Sequence, residues 1–186
     1  TYITMYYNMT DTSRVRLTMD SGGFQTAKDG FYNSSWAFVK YLYWEVKDYM
    51  GFDRIMLGQI ETPWIGWEDN IWGYRMIAKS ILDDQQIEYS ADRGFGVSGK
   101  YNKNLDYAIA VVGGNGYKDF DRDGKWNTEL RLTYALNEVM STSIGGGTGA
   151  WAQDIGASRY AAYYQTYTVS NVNFKFPSVI LSVTYL

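Results

Sequence analysis

The 186-residue chain has no cysteine, no histidine and only 2 prolines. Without thiols or imidazoles it holds no disulfide, thiolate nucleophile, histidine-based triad, or His or Cys metal site. Its apolar runs are far shorter than the ~18–20 residues that a membrane-crossing helix needs. A cationic excess is also missing. Seventeen Lys and Arg against 20 Asp and Glu give a net charge of −3, which argues against nucleic acid as a partner. No positively charged start leads into an apolar stretch.

Aromatic residues are abundant, at 18 % of the chain, with 18 Tyr and 7 Trp. Such side chains, apolar in body and polar at the tip, suit membrane interfaces, binding surfaces and some β-sandwiches. In the stretch SRVRLTMD, residues 13–20, Val15, Leu17 and Met19 alternate with Arg14, Arg16 and Asp20. A strand turns successive side chains to opposite faces, so this segment has one apolar and one charged face. About ten segments alternate in this way: 1–10, 13–20, 37–47, 54–61, 95–101, 105–112, 128–136, 138–145, 159–169 and 172–185. In 128–136, Leu130, Leu132, Tyr134 and Leu136 oppose Glu129, Arg131 and Thr133.

The connections sort by length. Short turns are expected at 10–13, 48–53, 101–105, 136–138 and 169–172, and long ones at 20–36, 62–94, 113–127 and 145–159. Short turns on one side and long loops on the other typify outer-membrane barrels. A sandwich has no reason to sort its loops by parity. The spacing therefore predicts an all-β fold, a single transmembrane antiparallel β-barrel domain over 1–186 with about ten strands visible and both barrel ends missing. Its apolar face would meet lipid. Its charged face would line a water-filled lumen with Arg14, Arg16, Glu45, Lys47, Arg54, Lys100, Asp106, Glu129 and Arg131. Lys40 is a further candidate for a cationic lumen position, although it shares its parity with Leu42 and Trp44. The Gly-rich stretch IGGGTGA, 144–150, reads as a loop and lacks the Lys-Ser/Thr of a phosphate-binding loop. The rival reading is a soluble, secreted, aromatic-rich β-sandwich that binds a carbohydrate or another partner and carries a calcium loop.

Residues 58–81, GQIETPWIGWEDNIWGYRMIAKSI, followed by SADRGFGVSGKY at 90–101, resemble the phosphate-selective porin family of Gram-negative outer membranes. Gly58-Gln59, Thr62-Pro63, Trp72-Gly73-Tyr74-Arg75 and Ser90-Ala91-Asp92 match that layout, and the resemblance extends over roughly 10–136. It implies a larger barrel of sixteen or more strands, usually trimeric, that passes small hydrophilic or anionic, phosphate-like solutes by passive diffusion. The expected setting is the bacterial outer membrane, with the lipid bilayer as partner. The resemblance also implies that the long connection 62–94 folds inward and narrows the pore. Glu61, Trp64, Trp67, Glu68, Asp69, Arg75 and Lys79 would then lie at the constriction. Such a protein is not an enzyme and requires no cofactor.

One further motif stands apart. In DFDRDGKWNTEL, 119–130, Asp119, Asp121 and Asp123 precede Gly124, as in the first half of a calcium loop. Three carboxylates and the Lys125 carbonyl would supply a good part of the 6–8 oxygens that Ca2+ takes. The acid expected at the twelfth position is replaced by Leu130, with Glu129 one place early. Titration calorimetry with calcium is expected to give a binding heat that Asp121→Ala lacks; identical heats would remove the site.

Overall fold

The structure, a computed structural model, describes residues 2–21, 25–26, 33–34, 37–84, 87–117, 124–154, 160–175 and 180–185. Ten strands form one antiparallel sheet in sequence order. These are β1 (Tyr2–Asn8), β2 (Ser13–Ser21), β5 (Ala37–Tyr49), β6 (Phe52–Glu61), β7 (Ala91–Lys100), β8 (Leu105–Val112), β9 (Asn127–Ala135), β10 (Met140–Asp154), β11 (Tyr160–Lys175) and β12 (Ile180–Tyr185). The short strands β3 (Gln25–Thr26) and β4 (Asn33–Ser34) pair only with each other. Helices α1 (Ile65–Trp72) and α2 (Ile81–Asp84) lie between β6 and β7. The sheet is not closed into a barrel: β1 and β12 are its two edges.

Period-2 patterning sets the two faces. On β9, Asn127, Glu129, Arg131 and Thr133 are buried, while Thr128, Leu130, Leu132 and Tyr134 are exposed. Neighbouring strands continue both rows. Leu57 is 54 % exposed, Phe95 43 % and Leu132 36 %, whereas Glu45 is fully buried. A soluble protein buries its large apolar side chains and solvates its charges; this sheet does the reverse. The shielded face is not wholly polar, however. Tyr43, Met56, Ile60, Ala110 and Val112 form an apolar cluster on it.

Lys40 departs from the alternation because β5 carries a bulge. Thr18 pairs with Tyr41 and Met19 with Val39, which leaves Lys40 as the extra residue. The Gln59 side chain donates to the carbonyls of Val39 (2.6 Å) and Lys40 (2.9 Å) at this irregularity. Lys40 is thereby turned into the shielded face and buried, with its ammonium 4.8, 5.4 and 5.7 Å from the rings of Tyr2, Tyr41 and Tyr117. The parity expectation for Lys40 fails for this reason.

Three sequence expectations about connections are also corrected. Residues 169–172 are no turn but the interior of β11. The expected loop 145–159 is strand as far as Asp154, and IGGGTGA lies within β10. Strand β7 begins at Ala91, so the long connection is shorter than 62–94. Glycine at 145 has a packing reason. A Cβ there would lie 2.9 Å from Trp64 Cζ2 and 2.8 Å from the Leu130 carbonyl carbon. The glycine lets the segment after β6 press against β10.

Gly145→Val is therefore expected to displace Trp64 and to cost roughly 2–4 kcal/mol of stability in urea unfolding. Gly66→Ala, where an added Cβ meets nothing within 4 Å, is expected to be neutral or slightly stabilising. Equal behaviour of the two variants would refute this account of Gly145.

Candidate functional site: a charged, helix-covered sheet face

Arg14 and Arg16 on β2, Tyr43 and Glu45 on β5, and Arg54 and Glu61 on β6 converge on the shielded face. Glu45 bridges two guanidiniums, Arg14 at 2.8 Å and Arg54. Glu61 likewise joins Arg16 and Arg54, the latter at 2.9 Å. The Tyr43 hydroxyl accepts from Arg54 (2.6 Å) and Arg16 (3.2 Å) and donates to Glu61 (3.2 Å). Arg16 also stacks 4.3 Å above the Tyr41 ring. The registers Arg14↔Glu45 and Arg16↔Tyr43 place these groups directly opposite one another across the strands. Unpaired, a buried charge is very costly; alternation of sign is what makes the cluster tolerable.

A second cluster lies across the sheet. Arg131 donates to Asp106 at 2.7 Å, to the Pro63 carbonyl at 2.9 Å and to Thr133. Its guanidinium also stacks 4.9 Å from the Trp67 ring. Between the clusters the middle of the shielded face of β7 and β8 carries small side chains, Gly94, Gly96, Ser98, Ala108 and Ala110, with Asp92 and Val112 at one end. The 62–90 connection packs against this face. Trp64, Ile65 and Leu82 bury themselves with Val169 of β11, and the Trp64 indole donates to the Leu130 carbonyl at 2.9 Å. A cavity of about 300 Å3 lies between the connection and the sheet, lined among others by Tyr41, Arg54, Glu61, Trp67, Asn70 and Arg131.

Seven of the nine expected lumen residues lie on this face: Arg14, Arg16, Glu45, Arg54, Asp106, Glu129 and Arg131. Lys47 and Lys100 are exposed instead, at the rim that carries the short turns. Of the expected constriction residues, Glu61 belongs to the charge cluster, Trp64 and Glu68 are buried, and Trp67 faces Arg131. Asp69 pairs with Arg75 at 3.5 Å, Arg75 also with Asp83, and Lys79 with Asp83 at 3.7 Å. These last contacts brace the connection internally. Burial raises the Asp69 carboxyl above its ordinary value, against the pull of Arg75. Asp119, Asp121 and Asp123 of the calcium motif lie outside the described residues; Lys125 is half-buried. Among the described residues no group of three acids is placed to hold a metal.

The sequence offered no period by which to find Glu88, in the connection. It is almost wholly buried and accepts from the Trp64 backbone N–H at 3.3 Å. Its carboxyl is also hydrogen bonded to the side chains of Glu129 and Thr62. Asp92 escaped detection as well. Asp92 accepts from the backbone N–H groups of Arg93 (2.6 Å) and Gly114 (2.7 Å), which pins the loop after β8. Asn127 and Asn173 are buried on the same face, and neither amide has a protein partner among the described residues.

Burial pushes the Glu88 carboxyl up from its ordinary 4.5 to about 7; the nearby charge of Glu68 adds to this, and the hydrogen bonds oppose it. A carboxyl raised in the folded state stabilises it fully below pH 4.5, and that stability is lost as pH rises through about 7. Docking of the connection, followed by tryptophan fluorescence and urea unfolding, is expected to weaken between pH 4.5 and 7. Glu88→Gln should flatten that slope; an unchanged slope in the variant would exclude Glu88 as its source. Neither a protein-family model nor a curated protein matches this chain.

Proposed function

We propose that this chain forms part of the wall of a bacterial outer-membrane channel, porin-like in the manner of the phosphate-selective family it resembles. The observation that carries this reading is the inversion of the sheet. Leucine, isoleucine, phenylalanine and tryptophan occupy the outward face of strand after strand, and both signs of charge occupy the other. Lipid accepts the first face and a wet bore the second. The buried amides of Asn127 and Asn173, which find no protein partner among the described residues, suit a hydrated lumen better than a dry core. A sandwich would cover the apolar face with a second sheet; none lies over it among the described residues.

A sheet with two unpaired edges encloses a bore only when those edges are paired, with each other or with further strands. The channel is assigned passive diffusion of small hydrophilic solutes, with no catalytic step. The 62–90 connection narrows the passage, and solutes pass the cavity between Arg54 and Arg131. The arginines of both clusters attract anions at long range, and Glu45, Glu61 and Asp106 moderate that preference. A trimer and an optional calcium ion at 119–125 complete the proposal.

In detergent or lipid the protein is expected to fold to a form that resists SDS until heated, and planar bilayers should show stepwise conductance. Clean folding in plain buffer, with no conductance, would overturn the channel. Leu132→Arg should destabilise the lipid-folded protein by ~2–4 kcal/mol, where a soluble protein with this side chain facing water would barely respond. Trp67→Ala is expected to raise single-channel conductance, and reversal potentials across a salt gradient should show anion preference. Cation preference would remove the anionic part of the reading.

A further inference from the structure

Both ends of the 62–90 connection meet at one side chain. The Thr62 side chain and the Trp64 N–H, where the chain has just left β6, are hydrogen bonded to the carboxyl of Glu88, just before β7. On the wall beside this clasp stands Glu129 of β9, whose carboxyl is hydrogen bonded to that of Glu88. Two carboxyl groups bond to each other only through a proton, because ionised carboxylates offer acceptors alone. Glu88 and Glu129 are 1 and 3 % exposed, and Glu129 Oε2 has no hydrogen-bond partner among the described residues. The charged groups around the pair give its ionised form little support. Glu68 of α1 and Asp92 of β7 are themselves carboxyls. Arg131 of β9 is already engaged by Asp106, Thr133 and the Pro63 carbonyl. Lys125, four residues before Glu129, is half-buried and lies outside β9.

We infer that the Glu88–Glu129 pair is a proton latch: with its shared proton it holds the connection on the wall, and ionised it releases the connection and widens the passage. The inference rests on the channel reading above and assigns that channel its regulation. In acid, one proton bridges connection and wall. Its loss leaves two carboxylates in contact away from water, where like charges repel strongly. Release relieves this, because Glu88 departs with the connection and both groups become solvated. The other fastenings, the Trp64 indole on Leu130 and the Arg131 guanidinium on Pro63, do not titrate in the same range. Glu88 titrates near 7 when docked and near its ordinary 4.5 when released. The released-to-docked ratio therefore rises by roughly 50- to 100-fold from pH 5 to pH 8.

The test is single-channel recording of the full chain in planar bilayers from pH 5 to pH 8, paired with acrylamide quenching of its tryptophans in detergent. Wild type is expected to shift toward a wider conductance level by that factor as pH rises. Quenching should increase over the same range, as Trp64 and Trp67 lose their cover. Glu88→Gln and Glu129→Gln each present an amide donor to the remaining carboxyl, so either variant should keep the narrow level at pH 8. Lys47→Gln, at the exposed rim, should keep the wild-type profile. A wild-type conductance that ignores pH would overturn the latch. So would a pH response that both glutamine variants retain, or a conductance change with no change in quenching. In all three cases a chain that conducts leaves the channel reading intact. A chain that conducts at no pH would overturn both.

Discussion

The structure depends on keeping both signs of charge together on the shielded side of the sheet. Arg16 and Arg54 would be untenable there alone, and so would Glu45 and Glu61. Each has two partners of opposite sign or a tyrosine hydroxyl between them, held across strands by the register of β2, β5 and β6. A register slip of one residue would turn the charges to the apolar side and the leucines inward. The ion-pair cluster therefore contributes chiefly to choosing one alignment of the strands. Its net contribution to stability is small, because desolvation offsets most of the attraction.

The wall is also shaped for what lies against it. Glycine, serine and alanine on the shielded face of β7 and β8 leave a hollow, and the glycines of β10 let a tryptophan approach the backbone. The 62–90 connection fills the hollow with Trp64, Ile65 and Leu82, a small dry core in an otherwise polar setting. Sheet and connection are thus complementary, small against large, and the cavity beside Trp67 is what the fit leaves open.

Much of this was legible in the residues because a strand has period 2 and both faces are chemically distinct. Leu130, Leu132 and Tyr134 against Glu129, Arg131 and Thr133 place β9 and its two faces without ambiguity, and β1, β2 and β8 read almost as well. Glycine obscured β10: IGGGTGA has the composition of a loop, and only the approach of Trp64 explains why it is strand. Parity alone spoke against Lys40 because a bulge shifts it by one, and nothing local in FVKYLYW announces the bulge. Glu88 was out of reach for a different reason. Its role comes from burial against Glu129, 41 positions along the chain, and a connection has no period from which to infer such a meeting. Lys47 and Lys100 follow the alternation but sit past the point where the sheet still shields its side chains.

Two of the contacts that fasten the connection end on peptide oxygens: the Trp64 indole on Leu130 and the Arg131 guanidinium on Pro63. A carbonyl is present whatever residue stands at that position. The fastening on β9 therefore tolerates replacement of Leu130, and the one at the start of the connection needs no particular side chain at position 63. Trp67 and Asn70, which face the cavity, can then vary while the anchor persists. The same scaffold could in this way acquire a different filter without being rebuilt.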